Sequence, residues 1–304
     1  MDAPQQIFDR RALRQHRSRA AAGWEAHDFL VREAASRLAE RLPDIKRSFP
    51  LALDLGCHGG ELARLLKGRG GIETLVQCDP AESFAARARD AGPAAVAEEE
   101  LLPFAAGRFD LVLSTLSLHW VNDLPGALLQ MRQVLKPDGL LLASLLGGDT
   151  LWELRLSLMR AESELTGGAS PRVSPFVELR DAAGLLQRAG FALPVADVDR
   201  LTVTYPDALA LMRHLRAMGE SNALAERPRG APPRELLARA AALYAEEFAG
   251  VDGRIPATFE LVTLTAWSPH ESQQKPLRPG SAEARLAEAL DTEEKPAGDK
   301  ARPK

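Results

Sequence analysis

Five short apolar runs that alternate with helical patterns restrict this chain's fold more than any other feature. They are LALDLG (51–56), TLVQCD (74–79), AAVAEE (94–99), DLVLSTL (110–116) and LLLASLL (140–146). ELARLL, AESFAARARDA and LPGALLQMRQVL lie among them with helical character, the last stopped by Pro137 and Gly139. Strands that are apolar on both faces must be covered on both, and intervening helices supply that cover. The pattern therefore implies an α/β fold with a parallel sheet and right-handed crossovers. After Gly148 the helices lengthen and the strands thin out. LTVTY (201–205) and FELVTLTAW (259–267) are the candidates for the last two strands. Helical stretches at 151–166, 177–189, 207–218 and 234–249 are expected to cap the ligand edge of the sheet.

Four regions follow from this pattern. Residues 1–48 form an N-terminal helical region, in which Leu30, Ala34, Leu38 and Leu42 make an apolar stripe. Residues 49–149 form a ligand-binding core, and residues 150–272 supply the cap and the completing strands. Residues 273–304 are polar, charged and proline-bearing, so disorder is expected there, with SAEARLAEAL as a transient helix.

Composition removes several function classes. With 304 residues, 45% of them hydrophobic, the core needs no disulfide or metal staple. Two cysteines, Cys57 and Cys78, exclude a disulfide scaffold, and neither CxxC nor HExxH occurs, so no metal site is expected. A net charge of −4 gives no nucleic-acid signature. No apolar run approaches the roughly 18 residues of a membrane span, and the N-terminus lacks a signal-peptide core. Arg10, Arg11, Arg14, Arg17 and Arg19 crowd the start, but Asp2 and Asp9 break the transit-peptide pattern. They imply a basic helix on a cytoplasmic protein, a candidate for weak peripheral membrane contact.

The chemistry-bearing residues cluster at strand ends. In LALDLGCHGGELARLL the strand ends at Asp54, and a turn with Gly56, Cys57 and Gly60 opens a helix. Glycine permits positive φ and close backbone approach, and the helix amino end offers free N–H groups to a carboxylate or ribose. The spacing is not the dinucleotide G-x-G-x-x-G. Asp79, at the end of the second run, can accept from ribose hydroxyls or cap the helix after Pro80. Glu98, favoured over Glu99 and Glu100, can accept from an adenine amino group. Ser114 to Trp120 lie at the end of the fourth run, where open α/β sheets bind ligands. There His119 is either a base or orienting group or a bonded core histidine, and Trp120 either a pocket wall or plain packing. Asp149 can cap a helix or accept a proton, Arg155 lies near the same edge, and Glu220 and Asn222 sit in a polar turn, MGESN.

The glycine turn, Asp79 and the acidic run resemble class I S-adenosylmethionine (SAM)-dependent methyltransferases. The wider set is more specific. IFDRRALRQHRSRAA, FPLALDLGC, EEELLPF, LSLHWVNDLPGAL, LKPDG, GGDTLWELR, SPRVSPF, MGESN and PATFE, in this order over residues 7–275, resemble the respiratory complex I assembly factors of methyltransferase fold and their bacterial counterparts. The resemblance implies a Rossmann-like, seven-stranded, mostly parallel sheet with its last strand antiparallel, plus the helical cap. It implies SAM as cofactor, held by Asp54, Gly56 and Gly60, with Asp79 on its ribose and Glu98 on its adenine side. The implied activity is hydroxylation of an arginine on the complex I subunit beside the quinone site. The implied place is the cytoplasm of a bacterium or the mitochondrial matrix. One position departs from the pattern: His58 stands where the middle glycine of the SAM turn is usual. In a left-handed backbone a side chain there costs roughly 1–2 kcal/mol, and the ring narrows the pocket.

Two other functions compete. Ordinary methyl transfer to a small-molecule or carrier-bound acceptor needs only alignment, because the sulfonium carries the reactivity. A non-catalytic assembly chaperone would use the bound nucleoside for stability alone.

Overall fold

The computed structural model describes residues 6–274 and 286–293, and its first helix begins on a side-chain cap. Asp9 accepts from the Ala12 N–H at 3.0 Å and opens α1 (Arg10–Ala20). A 3₁₀ segment at Ala21–Ala26 carries Trp24 into the core, and α2 (Phe29–Arg41) buries Leu30, Ala34 and Leu38. The chain then alternates through β1 (Leu51–Leu55), α3 (Glu61–Leu65), β2 (Thr74–Asp79), α4 (Glu82–Ala88), β3 (Ala94–Val96) and β4 (Phe109–Thr115). It continues with α5 (Leu124–Val134), β5 (Leu135–Leu146), α6 (Trp152–Thr166), α7 (Leu179–Arg188), β6 (Ala192–Tyr205), α8 (Ala208–Ala217), α9 (Arg234–Phe248) and β7 (Ile255–Trp267).

The seven strands form one sheet in the order β3-β2-β1-β4-β5-β7-β6. Pairs among β1 to β5 are parallel, while β7 runs antiparallel to both its neighbours. This is the expected Rossmann-like methyltransferase topology. The order reverses between β1 and β4, and beyond their carboxyl ends lies the crevice in which open α/β sheets take ligands.

Both faces are covered, as the apolar strands require. On one face Leu38 of α2 and Leu62 of α3 pack with Leu111 and Leu140 of the sheet. On the other, Leu128 and Met131 of α5 join Ala182, Leu185 and Leu186 of α7 over Leu141 and Val262. Helices α6, α8 and α9 share a separate core with Trp24, Leu30 and Phe259, and form the cap. Helix α7, expected in the cap, is thus a sheet-covering helix. Its Ala182, Leu185, Leu186 and Ala189 form one apolar stripe, which α5 and the sheet bury.

Several strand boundaries also differ, among them β7, which begins at Ile255 rather than Phe259. β3 stops at Val96, leaving the acidic run in the turn beyond it. β5 begins at Leu135, so Pro137 and Gly139 lie inside it, beside an irregularity in its pairing with β4. β6 has 14 residues rather than the five of LTVTY. The chain divides into two units, residues 1–270 and 271–304. In the second a short helix spans Leu286–Ala289; residues 275–285 and 294–304 of the expected tail lie outside the described residues. Among the described residues no helix is long and apolar enough to cross a membrane.

Candidate active site

The turn after β1 is built from three left-handed residues, Gly56 (φ 74°), His58 (φ 47°) and Gly60 (φ 86°). At Gly56 the requirement is steric as well, because a Cβ there would overlap the Ser117 side chain. The turn is tied to β2: the Gly56 and Cys57 N–H groups donate to the Cys78 carbonyl at 2.7 and 2.9 Å. Cys57 is buried, and burial pushes its thiol well up. The His58 N–H donates to Asp79 Oδ2 at 3.1 Å, and the Ala81 N–H to Asp79 Oδ1 at 2.8 Å. Asp79 thus holds the turns after β1 and β2 together.

The His58 ring is buried in the crevice. It stacks on Trp24 (5.4 Å between centroids, 4° between planes), and its Nε2 donates to the Thr115 carbonyl at 2.9 Å. Burial, reinforced by the Arg17 charge, pushes its pKa down to about 3, so the ring is neutral and its buried Nδ1 is a bare acceptor without a partner.

Three carboxyl groups at strand ends have no exposed surface: Asp54, Asp79 and Glu99. Both oxygens of Asp54 lack hydrogen-bond partners. Burial, with Glu61 and Asp79 nearby, pushes Asp54 up to about 8. Burial pushes Asp79 up to about 6 against the pull of Arg17. Burial also opposes ionisation of Glu99, but Arg10 and Arg17 outweigh it and hold that carboxyl below its ordinary value.

The cations come from α1. Arg17 is 1% exposed; its guanidinium donates to Asp79 Oδ2 at 3.2 Å and to Ser117 Oγ at 2.9 Å. Ser117 donates to Glu99 Oε1 at 2.5 Å. Arg10 bonds Glu98, Glu99 and the Trp120 carbonyl, and Arg14 bonds Glu98. Glu99, not the favoured Glu98, is therefore the carboxylate turned inward; Glu98 lies at the edge between two arginines. Arg10, Arg14 and Arg17 recur at helical spacing and serve this acidic cluster, so of the three exposed arginines of the basic patch expected to meet a membrane, Arg14 is bonded to Glu98 and Arg11 and Arg19 stand outside the cluster.

Above the strand ends lies a cavity of about 480 Å³, walled by the cap residues Leu154, Leu158, Met212 and Leu215 together with Phe176. At its floor Glu220 Oε2 accepts from Trp120 Nε1 at 3.0 Å and lies 3.3 Å from His119 Nε2. Burial raises the Glu220 pKa, but the His119 hydrogen bond and the Arg17 charge outweigh it and leave it below the ordinary value. An ionised carboxylate only accepts, so Nε2 of His119 carries the proton and donates. Trp120 also meets Phe8 edge-on at 5.3 Å.

The remaining expected site residues sit elsewhere. Ser114 Oγ donates to the Leu55 carbonyl at 2.7 Å and ties β4 to β1 inside the sheet. Asp149 is half exposed and paired with Arg200, away from His119's partner. Arg155 reaches the carbonyls of Gly148, Thr150 and Ser174, each at 3.4 Å, and clamps the turn after β5. Asn222 lines the cavity and donates to the Pro171 carbonyl at 2.9 Å. Arg17, Ser117 and Glu99 are the members that motif reading passed over. Among the described residues no group of three or more His, Cys, Asp or Glu is arranged to hold a metal ion.

The acceptor set suits an adenosyl group. Asp54 presents two buried carboxyl oxygens without partners, Asp79 ends β2, and Glu99 lies buried in the turn beyond β3. Fold and crevice together define a member of the SAM-dependent methyltransferase superfamily, and a family model described as a methyltransferase domain matches residues 53–143. The YcgJ protein of Bacillus subtilis shares the fold, with a TM-score of 0.55 at 13% identity over 77% of this chain and 99% of that one. Over 287 residues the chain is 44% identical to the human mitochondrial arginine-hydroxylase NDUFAF5, covering 93% of this chain and 83% of that protein. It is 37% identical to a malonyl-[acyl-carrier protein] O-methyltransferase of Methylovorus, covering 88% of this chain and 92% of that protein. The chain belongs to the NDUFAF5 arginine-hydroxylase family.

Proposed function

We propose that this protein hydroxylates an arginine side chain of a respiratory complex I subunit during assembly, with SAM bound at the strand ends. The observation that carries this reading is the extent of the likeness. The alignment with the human arginine hydroxylase covers 93% of this chain, well beyond the matched methyltransferase domain at residues 53–143. The likeness therefore extends past the nucleoside core.

Asp54, Asp79, Glu99 and the Gly56–Gly60 turn would hold the adenosyl group, whose sulfonium would supply the electrophile for methyl transfer when bound; hydroxylation would instead take its oxygen atom and its two-electron oxidation from an external oxidant of the dioxygen class, which the assay must also contain. His119, Trp120, Glu220 and Asn222 would face the substrate. The cap excludes water from the acceptor, which strengthens each charge interaction inside. The reaction would take place in the bacterial cytoplasm, the counterpart of the mitochondrial matrix of its relatives.

Methyl transfer is the second reading, favoured by the 37% identity to the Methylovorus enzyme. Incubation with SAM and the candidate complex I subunit, followed by peptide mass measurement, separates the two. Hydroxylation adds about 16 Da on an arginine and methylation about 14 Da. An unmodified subunit in a competent assembly extract would leave only the scaffold.

A further inference from the structure

We propose that Glu220 receives the guanidinium of the substrate arginine; this inference rests on the function proposed above. Glu220 follows the end of α8, where left-handed Gly219 (φ 83°) turns the chain back across α1. A Cβ on Gly219 would stand 3.3 Å from Ala20 Cβ, so the glycine lets α8 approach α1 closely and aims Glu220 at the cavity floor.

The carboxylate is held from one side only. Both of its donors, Trp120 Nε1 and His119 Nε2, meet the same oxygen, Oε2. Oε1 takes part in neither bond, and Glu220 lines the cavity. The floor is thus an oriented, ionised carboxylate with acceptor capacity to spare. The cavity's apolar walls are Leu154, Leu158, Phe176, Met212 and Leu215, and two of the arginines that also line it, Arg172 and Arg227, are paired with Glu162 and Asp9. An arginine side chain matches this arrangement part by part. Its methylene stem suits the apolar walls, and its planar donor fork suits a carboxylate fixed by an indole and an imidazole. In apolar surroundings a charge-assisted bond of this kind discriminates more strongly than in water.

The mouth adds a second selection. Arg19, Arg216 and Arg229 line it and are exposed. They repel free arginine and basic segments, so the target arginine should arrive flanked by acidic residues. His119 and Trp120 are positioning residues here, because they act through the carboxylate.

The test compares two probes on the full chain by calorimetry: acetyl-Glu-Arg-Glu-amide and the same peptide with citrulline, which keeps the shape and loses the charge. The wild-type protein should bind the arginine peptide at least tenfold more tightly. Glu220→Gln should reduce that ratio to near one, while Trp120→Phe, which leaves the Glu220 charge in place, should keep most of it. Equal binding of both peptides by the wild type overturns the inference, and so does a preference that survives in Glu220→Gln. If Glu220→Gln does not fold, loss of the ratio in Glu220→Asp, whose carboxylate is drawn back by one methylene, takes its place. The assay reads binding alone, so it stays distinct from the proposed activity. Charge-selective binding without a gain of about 16 Da sinks the hydroxylase reading alone. Full hydroxylation by Glu220→Gln at unchanged KM sinks the Glu220 assignment alone.

Discussion

Arg17 and Asp79 form a buried ion pair at the carboxyl edge of the sheet, with guanidinium and carboxylate 3.2 Å apart. The arginine belongs to α1 and the aspartate to the carboxyl end of β2, 62 residues away in sequence. The pair therefore pins the N-terminal helix onto the carboxylate best placed to accept a ribose. In the proposed SAM complex a sugar diol and the guanidinium would compete for the same oxygen, which would couple α1 to nucleoside binding.

Arg17→Met tests this coupling. Removing one partner of a buried pair leaves the other uncompensated, which costs about 3–5 kcal/mol. The ligand-free variant should lose stability of that order in urea unfolding. Added S-adenosylhomocysteine should restore part of the loss, because its hydroxyls supply donors to Asp79. Its affinity should rise relative to wild type, since no guanidinium has to leave. A fall in affinity would show that Arg17 is a ligand contact instead.

The pH profile carries a signature of Asp54. Its folded pKa is raised to about 8, mainly by burial, against 3.8 for a free aspartate. The folded state therefore holds a proton that the unfolded state releases. The stability this provides is complete below the unfolded pKa and is lost as pH rises through 8. His58 runs the other way: its folded pKa is lowered from 6.5 to about 3, so the stability it provides is present above 6.5 and lost as pH falls. Asp79, raised to about 6, has finished titrating by neutrality. Between about pH 7 and 8 the Asp54 effect dominates these three groups, with a slope of up to about 1.4 kcal/mol per pH unit. Unfolding free energy should fall across that interval in the wild type and stay nearly flat in Asp54→Asn.

Much of the fold is legible in the sequence because buried parallel strands advertise themselves. LALDLG, TLVQCD and DLVLSTL are continuous apolar runs that end in glycine, proline or a polar turn. β6 hid most of its length for the opposite reason. It is the edge strand, and ALPVADVDRLTVTY intersperses Asp197, Asp199 and Arg200 among half-exposed apolar residues. The site divides in the same way. Asp54, Gly56, Gly60 and Asp79 lie where the chain itself makes the turn, so local pattern finds them. Arg17 reaches the site from a distant helix, and the choice of Glu99 over Glu98 depends on the direction in which a short turn points. The 10-14-17 arginine spacing was a visible signal, but nothing local says whether such a stripe faces solvent or an acidic cleft.

His58→Gly should separate stability from ligand affinity. The substitution removes the left-handed strain, a gain of roughly 1–2 kcal/mol. It also removes a ring stacked on Trp24 and leaves the Thr115 carbonyl unpaired, and packing losses of this kind cost about 2–4 kcal/mol. The free protein should therefore melt a few degrees lower, as differential scanning calorimetry would record. The same change opens the crevice and frees a carbonyl acceptor for the ligand's ammonium group. S-adenosylhomocysteine should bind the variant at least as tightly as wild type, and a large loss of affinity would make the imidazole a ligand contact.

Glu98 and Glu99 offer the sharpest test of the crevice's interior. Glu98 is partly exposed and bonded to Arg10 and Arg14, with salt and water available to replace it. Glu99 has no exposed side-chain surface, takes the Ser117 hydroxyl and an Arg10 ion pair, and lies beside Gly56 where a ligand must pass. Glu98→Gln should therefore change the dissociation constant of S-adenosylhomocysteine less than about threefold, the scale of a surface ion pair. Glu99→Gln should weaken it by about tenfold or more, the scale of a lost charge-assisted bond. Titration calorimetry on the two variants at one salt concentration decides the matter. The reverse order would return the adenine-side role to Glu98 and would mean that α1 and its arginines rearrange before the ligand enters.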